Sequence, residues 1–193
     1  MHRQHILHVL AHYAQQHPTE AHETGRISSL VRAHERCFFR DCLPGHITGS
    51  AFIVDHRGEH FLLHHHKKLN RWLQFGGHAD GETDPLAVAE REALEESGIH
   101  ALTLVAQRVH LNGSSLPLPA DVDVHVIPAR GSEPEHEHHD LRYVFRAPPE
   151  ATIAISDESL ALRWFPCAEL ERVVHEAGLL RLARKALVLA RGA

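Results

Sequence analysis

Gly76-Gly77-His78-Ala79-Asp80-Gly81-Glu82, then Asp84-Pro85, then Arg91-Glu92-Ala93-Leu94-Glu95-Glu96-Ser97-Gly98-Ile99 is the stretch that decides the fold. It predicts a glycine-rich loop running into a helix. Asp84 suits the N-cap, where a side-chain oxygen accepts an orphan amide, and Pro85 suits the first helical position, where no N–H is needed. Gly98 suits the left-handed residue that ends the helix, and Ile99 starts the exit. Advancing about 100° per residue from Glu92 sets Glu95 at about −60° and Glu96 at about +40°, so the three carboxylates point one way. Leu86, Ala87, Ala93 and Leu94 are expected on the opposite, packed side. Like charges this close destabilise a bare helix, so a cation is expected in front of them. A hard divalent ion such as Mg²⁺ takes a few carboxylate oxygens and keeps water and phosphate as its other ligands, which points to phosphate chemistry. Arg91, four residues before Glu95, is expected to pair with it or orient it.

These residues resemble the box of the Nudix hydrolase family, in which a glycine and an early glutamate precede Arg-Glu-U-x-Glu-Glu-x-Gly-U, with U apolar. Gly77, Arg91, Glu92, Ala93, Glu95, Glu96, Gly98 and Ile99 fall in register. Thr83 stands where the early glutamate is expected, and Glu82 and Asp84 flank it as candidate substitutes. The resemblance implies an α/β fold, a Nudix-like α/β/α sandwich with a mixed sheet, and hydrolysis of a nucleoside diphosphate linked to another moiety, or of a related diphosphate compound. It also implies that the helix carboxylates hold metal. Glu92 and Glu96 are the first candidates and Glu95 the next, with Mg²⁺ or Mn²⁺ as cofactor. A carbonyl at Gly76 or Gly77 is expected to complete the shell, because glycine lets the main chain approach closely. The base that activates water varies in this family, and comes from the helix or from a distant loop. Glu95 is the helical candidate and Glu158, in Ser156-Asp157-Glu158, the remote one.

Four further residues are candidates for the substrate side. His78 follows the glycine pair and is placed to meet phosphate or a metal-bound water. Strand alternation over residues 123–128 puts Asp123, His125 and Ile127 on one face and Val124 and Val126 on the other. His125, with His139 or Asp140, is expected to line a cleft there. Trp72, Phe75 and Tyr143 are candidates to stack on a base or to fill the core.

The rest of the chain frames this site. Its 193 residues and 43% hydrophobic content suffice for one full core. Two helices within residues 1–40 are expected as an N-terminal extension to a hydrolase domain at 41–193. The first spans residues 3 to 16 with Ile6, Leu7, Val9, Leu10 and Tyr13 at helical spacing, stopped by His17-Pro18. The second, capped by Thr19, runs to about residue 35 with Ile27, Leu30 and Val31 inward. These helices are expected to cover the sheet, to form a homodimer or to shape the pocket, and sequence leaves the three open. Strands are expected at 47–54, 60–65, 72–75 and near 100–110, 122–128, 141–147 and 161–165, with helix from 166 onward and polar loops at 112–121 and 129–139.

Composition narrows the partners. A formal charge of −5 offers no basic stripe for nucleic acid. No apolar run approaches the ~20 residues of a membrane span. Met1-His2-Arg3-Gln4-His5 lacks the apolar segment of a signal peptide, and three cysteines (Cys37, Cys42, Cys167) cannot all pair internally, so a cytoplasmic protein with reduced thiols is expected. Histidine is the anomaly, at 21 residues, and two clusters, His64-His65-His66 and His136 with His138-His139, could bind a transition metal. The competing functional reading is a catalytically idle Nudix-like sensor or interaction module. A prenyl diphosphate isomerase is disfavoured, because no cysteine lies in the central loops.

Overall fold

The computed structural model describes residues 3–111 and 113–192. Met1 and His2, Asn112 of the expected loop 112–121, and Ala193 lie outside them. In chain order the elements are α1 (Gln4–Gln16), a 3₁₀ turn at Pro18–Glu20, α2 (Ala21–Ala33), β1 (Gly45–Val54), β2 (His60–His66), β3 (Arg71–Leu73), β4 (Phe75–His78) and α3 (Pro85–Ser97). They continue with β5 (Thr103–Val105), β6 (Arg108–Leu111), β7 (Ser114–Pro117), β8 (Asp121–Ile127), β9 (His136–Arg146), β10 (Ser159–Pro166), the one-turn α4 (Leu170–Val173) and α5 (Ala177–Gly192).

Strand β1 organises the molecule. It is buried along its whole length and pairs in parallel with β9 from Gly45↔Glu137 to Val54↔Arg146. It also pairs antiparallel with β2 and with β4, where Gly49 faces Gly77 and Ser50 faces Gly76. The mixed eight-stranded sheet runs β10-β2-β1-β9-β5, with β3 on β2, β4 on β1 and β8 on β9, and β6 and β7 form a separate pair. A parallel strand pair requires a long crossover, which here carries the chain through α3.

Alternation along β1 divides the core in two. Ile47, Ala51 and Ile53 join the cluster that holds Ile6, Leu10, Tyr13, Ile27 and Val31 of the N-terminal helices and Val88 and Ala93 of α3. Phe52 and Val54 join the opposite cluster with Phe61, Phe165 and Leu179, Leu182 and Ala186 of α5. Helices thus cover both faces of a mixed sheet, the expected α/β/α arrangement. The N-terminal helices cover the sheet, and none of their residues lines the pocket described below.

Four expectations need correction. Thr19 does not cap α2, whose N-cap position is Glu20 without a side-chain bond. The packed side of α3 is rotated from the one expected: Ala93 is buried and Leu86 packs against the core, but Leu94 is exposed, and Val88, Ala89 and Glu96 are buried instead. Strand β7 lies in a stretch read as loop, and β9 starts at His136, also inside an expected loop. In β9 the buried neighbour β1 supplies hydrogen bonds to the main chain whatever the polarity of the side chains.

Candidate active site

The caps on α3 follow from its sequence. Asp84 accepts the Leu86 amide at 3.0 Å, Pro85 opens the first turn, and Gly98 ends the helix at φ +68°. The helix lies directly on β1 because Gly49 has no side chain: a Cβ there would stand 2.5 Å from the Pro85 carbonyl oxygen and 2.9 Å from Val88 Cβ. This close seating carries the carboxylates of α3 onto the main chain of β4. A Cβ on Gly77 would stand 2.3 Å from Glu92 Oε1. The amide of Gly76 donates to Glu96 Oε2 at 2.9 Å.

The three carboxylates are not equivalent. Glu96 is 5% exposed, and burial pushes its carboxyl up to about 8, opposed by the Gly76 amide and reinforced by the charges of Glu92, Glu158 and Glu95. Burial also raises Glu92, which Arg91 holds down from 2.8 Å. Glu95 stays solvent-facing, 3.5 Å from Arg91 Nη1, and the same guanidinium donates to the His78 carbonyl at 2.9 Å. Arg91 therefore ties both outer glutamates to the glycine strand, as an orienting residue would. Glu82 instead accepts the amides of Thr83 at 2.6 Å and Asp84 at 2.9 Å. It shapes the loop, and Asp84 caps the helix, so neither joins the carboxylate group.

A cavity of about 440 Å³ opens beside these residues. Gly76, Gly77, Arg91, Glu92, Glu95, His78, His125, Asp140 and Glu158, all expected at the site, line it together. Glu158, far off in sequence, reaches it because β10 pairs with β2 at Ser159↔His66. His139 does not line the pocket. Alternation on β9 turns it to the opposite face, where its Nε2 meets Glu137 at 3.1 Å beside α2, while His138 and Asp140 face the cavity. Phe75 and Tyr143 are buried in the core, and Trp72 packs edge-on to Phe165 outside this cavity. They offer no stacking platform here.

Asp140 is held rather than free. Its Oδ1 accepts Thr48 Oγ1 at 3.0 Å, and its Oδ2 accepts Ser50 Oγ at 2.7 Å and Arg142 Nε at 2.9 Å. Arg142, fully buried, continues to Asp121 and Asp123, and Arg181 and Lys185 of α5 close the acidic group from behind. The pocket floor is thereby fixed to the rear helix.

The sequence reading missed His46, Thr48 and Ser50, and it took His64 only as part of the His64-His65-His66 cluster, which strand alternation divides: His64 and His66 line the cavity and His65 turns to Trp72 on the other face. His46, Thr48 and Ser50 alternate on one strand otherwise filled by Ile47, Phe52 and Ile53, and that polar alternation was the available signal. His46, His78 and His138 are neutral imidazoles: burial drives His46 and His78 down to about 4 and His138 down to about 2, with neighbouring imidazoles contributing. His64 Nδ1 lies 2.8 Å from Ser159 Oγ and 3.5 Å from Glu96 Oε1, which makes it a neighbour of the deepest carboxylate.

The donor set fits a hard divalent cation. Buried Glu96 and partly buried Glu92 converge on a glycine main chain, the charge of Glu92 raises the proton affinity of Glu96, and among the described residues Arg91 is the cation in direct contact with Glu92. No helix among the described residues is long and apolar enough to cross a membrane.

Comparison with known proteins agrees. The NUDIX domain family matches residues 45–185. A NUDIX-family hydrolase from Clostridium perfringens superposes with a TM-score of 0.59 at 28% identity, over 75% of this chain and 97% of that one. An Ap4A hydrolase of C. elegans superposes with 0.57 at 19% identity, over 76% of this chain and 98% of that one. The dihydroneopterin triphosphate pyrophosphohydrolase of E. coli gives 0.56 at 14% identity, over 74% of this chain and 94% of that one. These last two share the fold. No curated protein sequence matches the chain. With box, sheet and family match coinciding over residues 45–185, the chain belongs to the Nudix family of hydrolases.

Proposed function

We propose that this Nudix hydrolase cleaves a nucleoside diphosphate linked to another moiety, or a related diphosphate compound, with Mg²⁺ or Mn²⁺ held by Glu92, Glu96 and Glu95 and a carbonyl at Gly77. The observation that carries this is the convergence of Glu92 and Glu96 on the Gly76–Gly77 main chain at the rim of the cavity. When bound, the cation neutralises charge on phosphoryl oxygens and helps to set the attacking water. Glu96, fixed by the Gly76 amide, and Glu92, fixed by Arg91, are preorganised to receive it. Glu95 and Glu158 are the solvent-facing carboxylates of the pocket, and one of them takes the proton of the attacking water. Lys68 adds positive charge for a polyphosphate, His78 and His125 supply polar contacts, and Leu69, Leu73 and Ile127 offer apolar surface to the second moiety.

Turnover of a panel of nucleoside diphosphate sugars, dinucleoside polyphosphates, Ap4A among them, and nucleoside triphosphates with Mg²⁺ or Mn²⁺ tests this reading. Release of nucleoside monophosphate or phosphate from at least one class is expected. Absence of turnover on every member while metal still binds would support the idle sensor instead, a reading favoured by the local engagement of Glu82 in the loop.

A further inference from the structure

The pocket contains a second group of donors that the hydrolytic reading leaves unused. His46 of β1 and His136 and His138 of β9 bring one ring nitrogen each within 4.8 Å of the others. Register explains the meeting: His46 lies opposite His138 in the parallel pair, and His136 is two residues earlier on the same face. Ring centroids stand 5.0 Å apart for His46–His136, 4.9 Å for His46–His138 and 5.3 Å for His136–His138. His78 borders the group at 5.1 Å from His46 and 5.0 Å from His138.

Four ring nitrogens of this group make no hydrogen bond. His46 is 1% exposed, and neither of its ring nitrogens has a hydrogen-bond partner; the same holds for the buried Nε2 of His136 and of His138. A buried polar atom left unpaired is expensive, and a neutral imidazole always carries one lone pair. The tautomer of His136 is fixed for ligation: its Nδ1 lies 2.9 Å from the Pro134 carbonyl, so Nδ1–H donates there and Nε2 presents its lone pair. Metal-bound histidines are oriented in this way.

We propose that His46, His136 and His138 form a three-imidazole site for a borderline divalent transition ion such as Zn²⁺, separate from the carboxylate site of α3. Nitrogen donors select such ions over Mg²⁺, which takes oxygen. On a tetrahedral ion with Zn–N of ~2.0–2.1 Å the nitrogens stand about 3.4 Å apart, so the three rings close inward by small side-chain rotations. The ion joins the ends of β1 and β9 in the wall of the cavity, because His138 also lines it. The site rests on the imidazole geometry alone and does not depend on the proposed hydrolysis.

The test uses untagged full-length protein, stripped of metal and held in excess Mg²⁺, titrated with Zn²⁺ by calorimetry and with Co²⁺ by visible absorption. One ion per chain is expected, with the intense d–d bands of tetrahedral Co²⁺. His136→Gln and His138→Gln should each weaken binding by more than about 100-fold, since each removes one of three ligands. Circular dichroism of each variant verifies the fold, and a His8→Ala/His12→Ala variant, altered on α1, should bind as the parent does. A Glu92→Gln/Glu96→Gln variant should also keep the ion. Unchanged affinity in both histidine variants, loss of the ion in either control variant, or displacement by Mg²⁺ would overturn the proposal.

Discussion

Two groups of three carboxylates lie at or behind the same pocket, with Asp140 of one and Glu92 and Glu95 of the other lining it, and the chain treats them oppositely. Asp121, Asp123 and Asp140 meet Arg142, Arg181 and Lys185, all side chains of this protein. Among the described residues Glu92 and Glu95 share the one guanidinium of Arg91, while Glu96 has only the imidazole of His64, 3.5 Å away, as a basic neighbour. The proton affinities record the difference. Burial acts to raise Asp123, yet its hydrogen bond from His125 and the Arg142 and Arg181 guanidinium groups hold it well below the usual carboxylate range. Burial raises Glu96 to about 8 with only the Gly76 amide to oppose it. The first group is complete within the fold and serves to join β8, β9 and α5. The second is short of positive charge, which the proposed metal ion would supply.

The strongest way to break this contrast is to remove one carboxylate of the incomplete group. Glu96→Gln should cost metal-dependent turnover on the order of 10⁴-fold, roughly 5.5 kcal/mol of transition-state stabilisation, with the thermal unfolding profile intact. Near-normal kcat/KM would mean that Glu96 is no ligand. The complete group should behave in the reverse sense. Arg142→Met leaves buried Asp140 without its cation and weakens the pairing of Asp121 and Asp123, and should destabilise the fold by roughly 3–5 kcal/mol in urea unfolding. A smaller loss than that of an exposed Arg172→Met control would remove the pairing argument, since Arg172 makes only a surface pair with Glu169.

The smallest effect sharpens the comparison through pH, in metal-free protein. The folded carboxyl of Glu96 titrates at about 8 against an ordinary value of 4.5, so the native state binds a proton the unfolded state releases. Its contribution is fully present below pH 4.5 and is lost as pH rises through about 8. Between those limits the parent should lose on the order of 4 kcal/mol relative to Glu96→Gln, read from urea unfolding in EDTA at pH 4.5 and pH 8.5. Parallel pH profiles for the two proteins would show that Glu96 is not forced to share its site uncompensated.

Much of the site was legible because it is local. A cap at Asp84, a stop at Gly98 and carboxylates three and four residues apart are consequences of helical geometry, which depends on neighbours in sequence. The rotation of α3 was not legible. Leu94 is more apolar than Ala89, yet Ala89 is the buried residue, because the flat surface at Gly49 admits a small side chain and a close helix. His139 shows the same limit in a strand: its neighbourhood is polar on both sides, so sequence left open which of His139 and Asp140 faces the cavity, and the register with β1 chose Asp140.

The sequence by itself determined the family box, the acidic helix with its ends, and the need for a cation, since repulsion among Glu92, Glu95 and Glu96 follows from their spacing alone. Only the tertiary structure decided what faces them. Glu158 arrives by the pairing of β10 with β2, and His46 meets His136 and His138 through a parallel register between strands some ninety residues apart. Such meetings are fixed by hydrogen bonding between distant strands and by burial, and neither leaves a periodic trace along the chain.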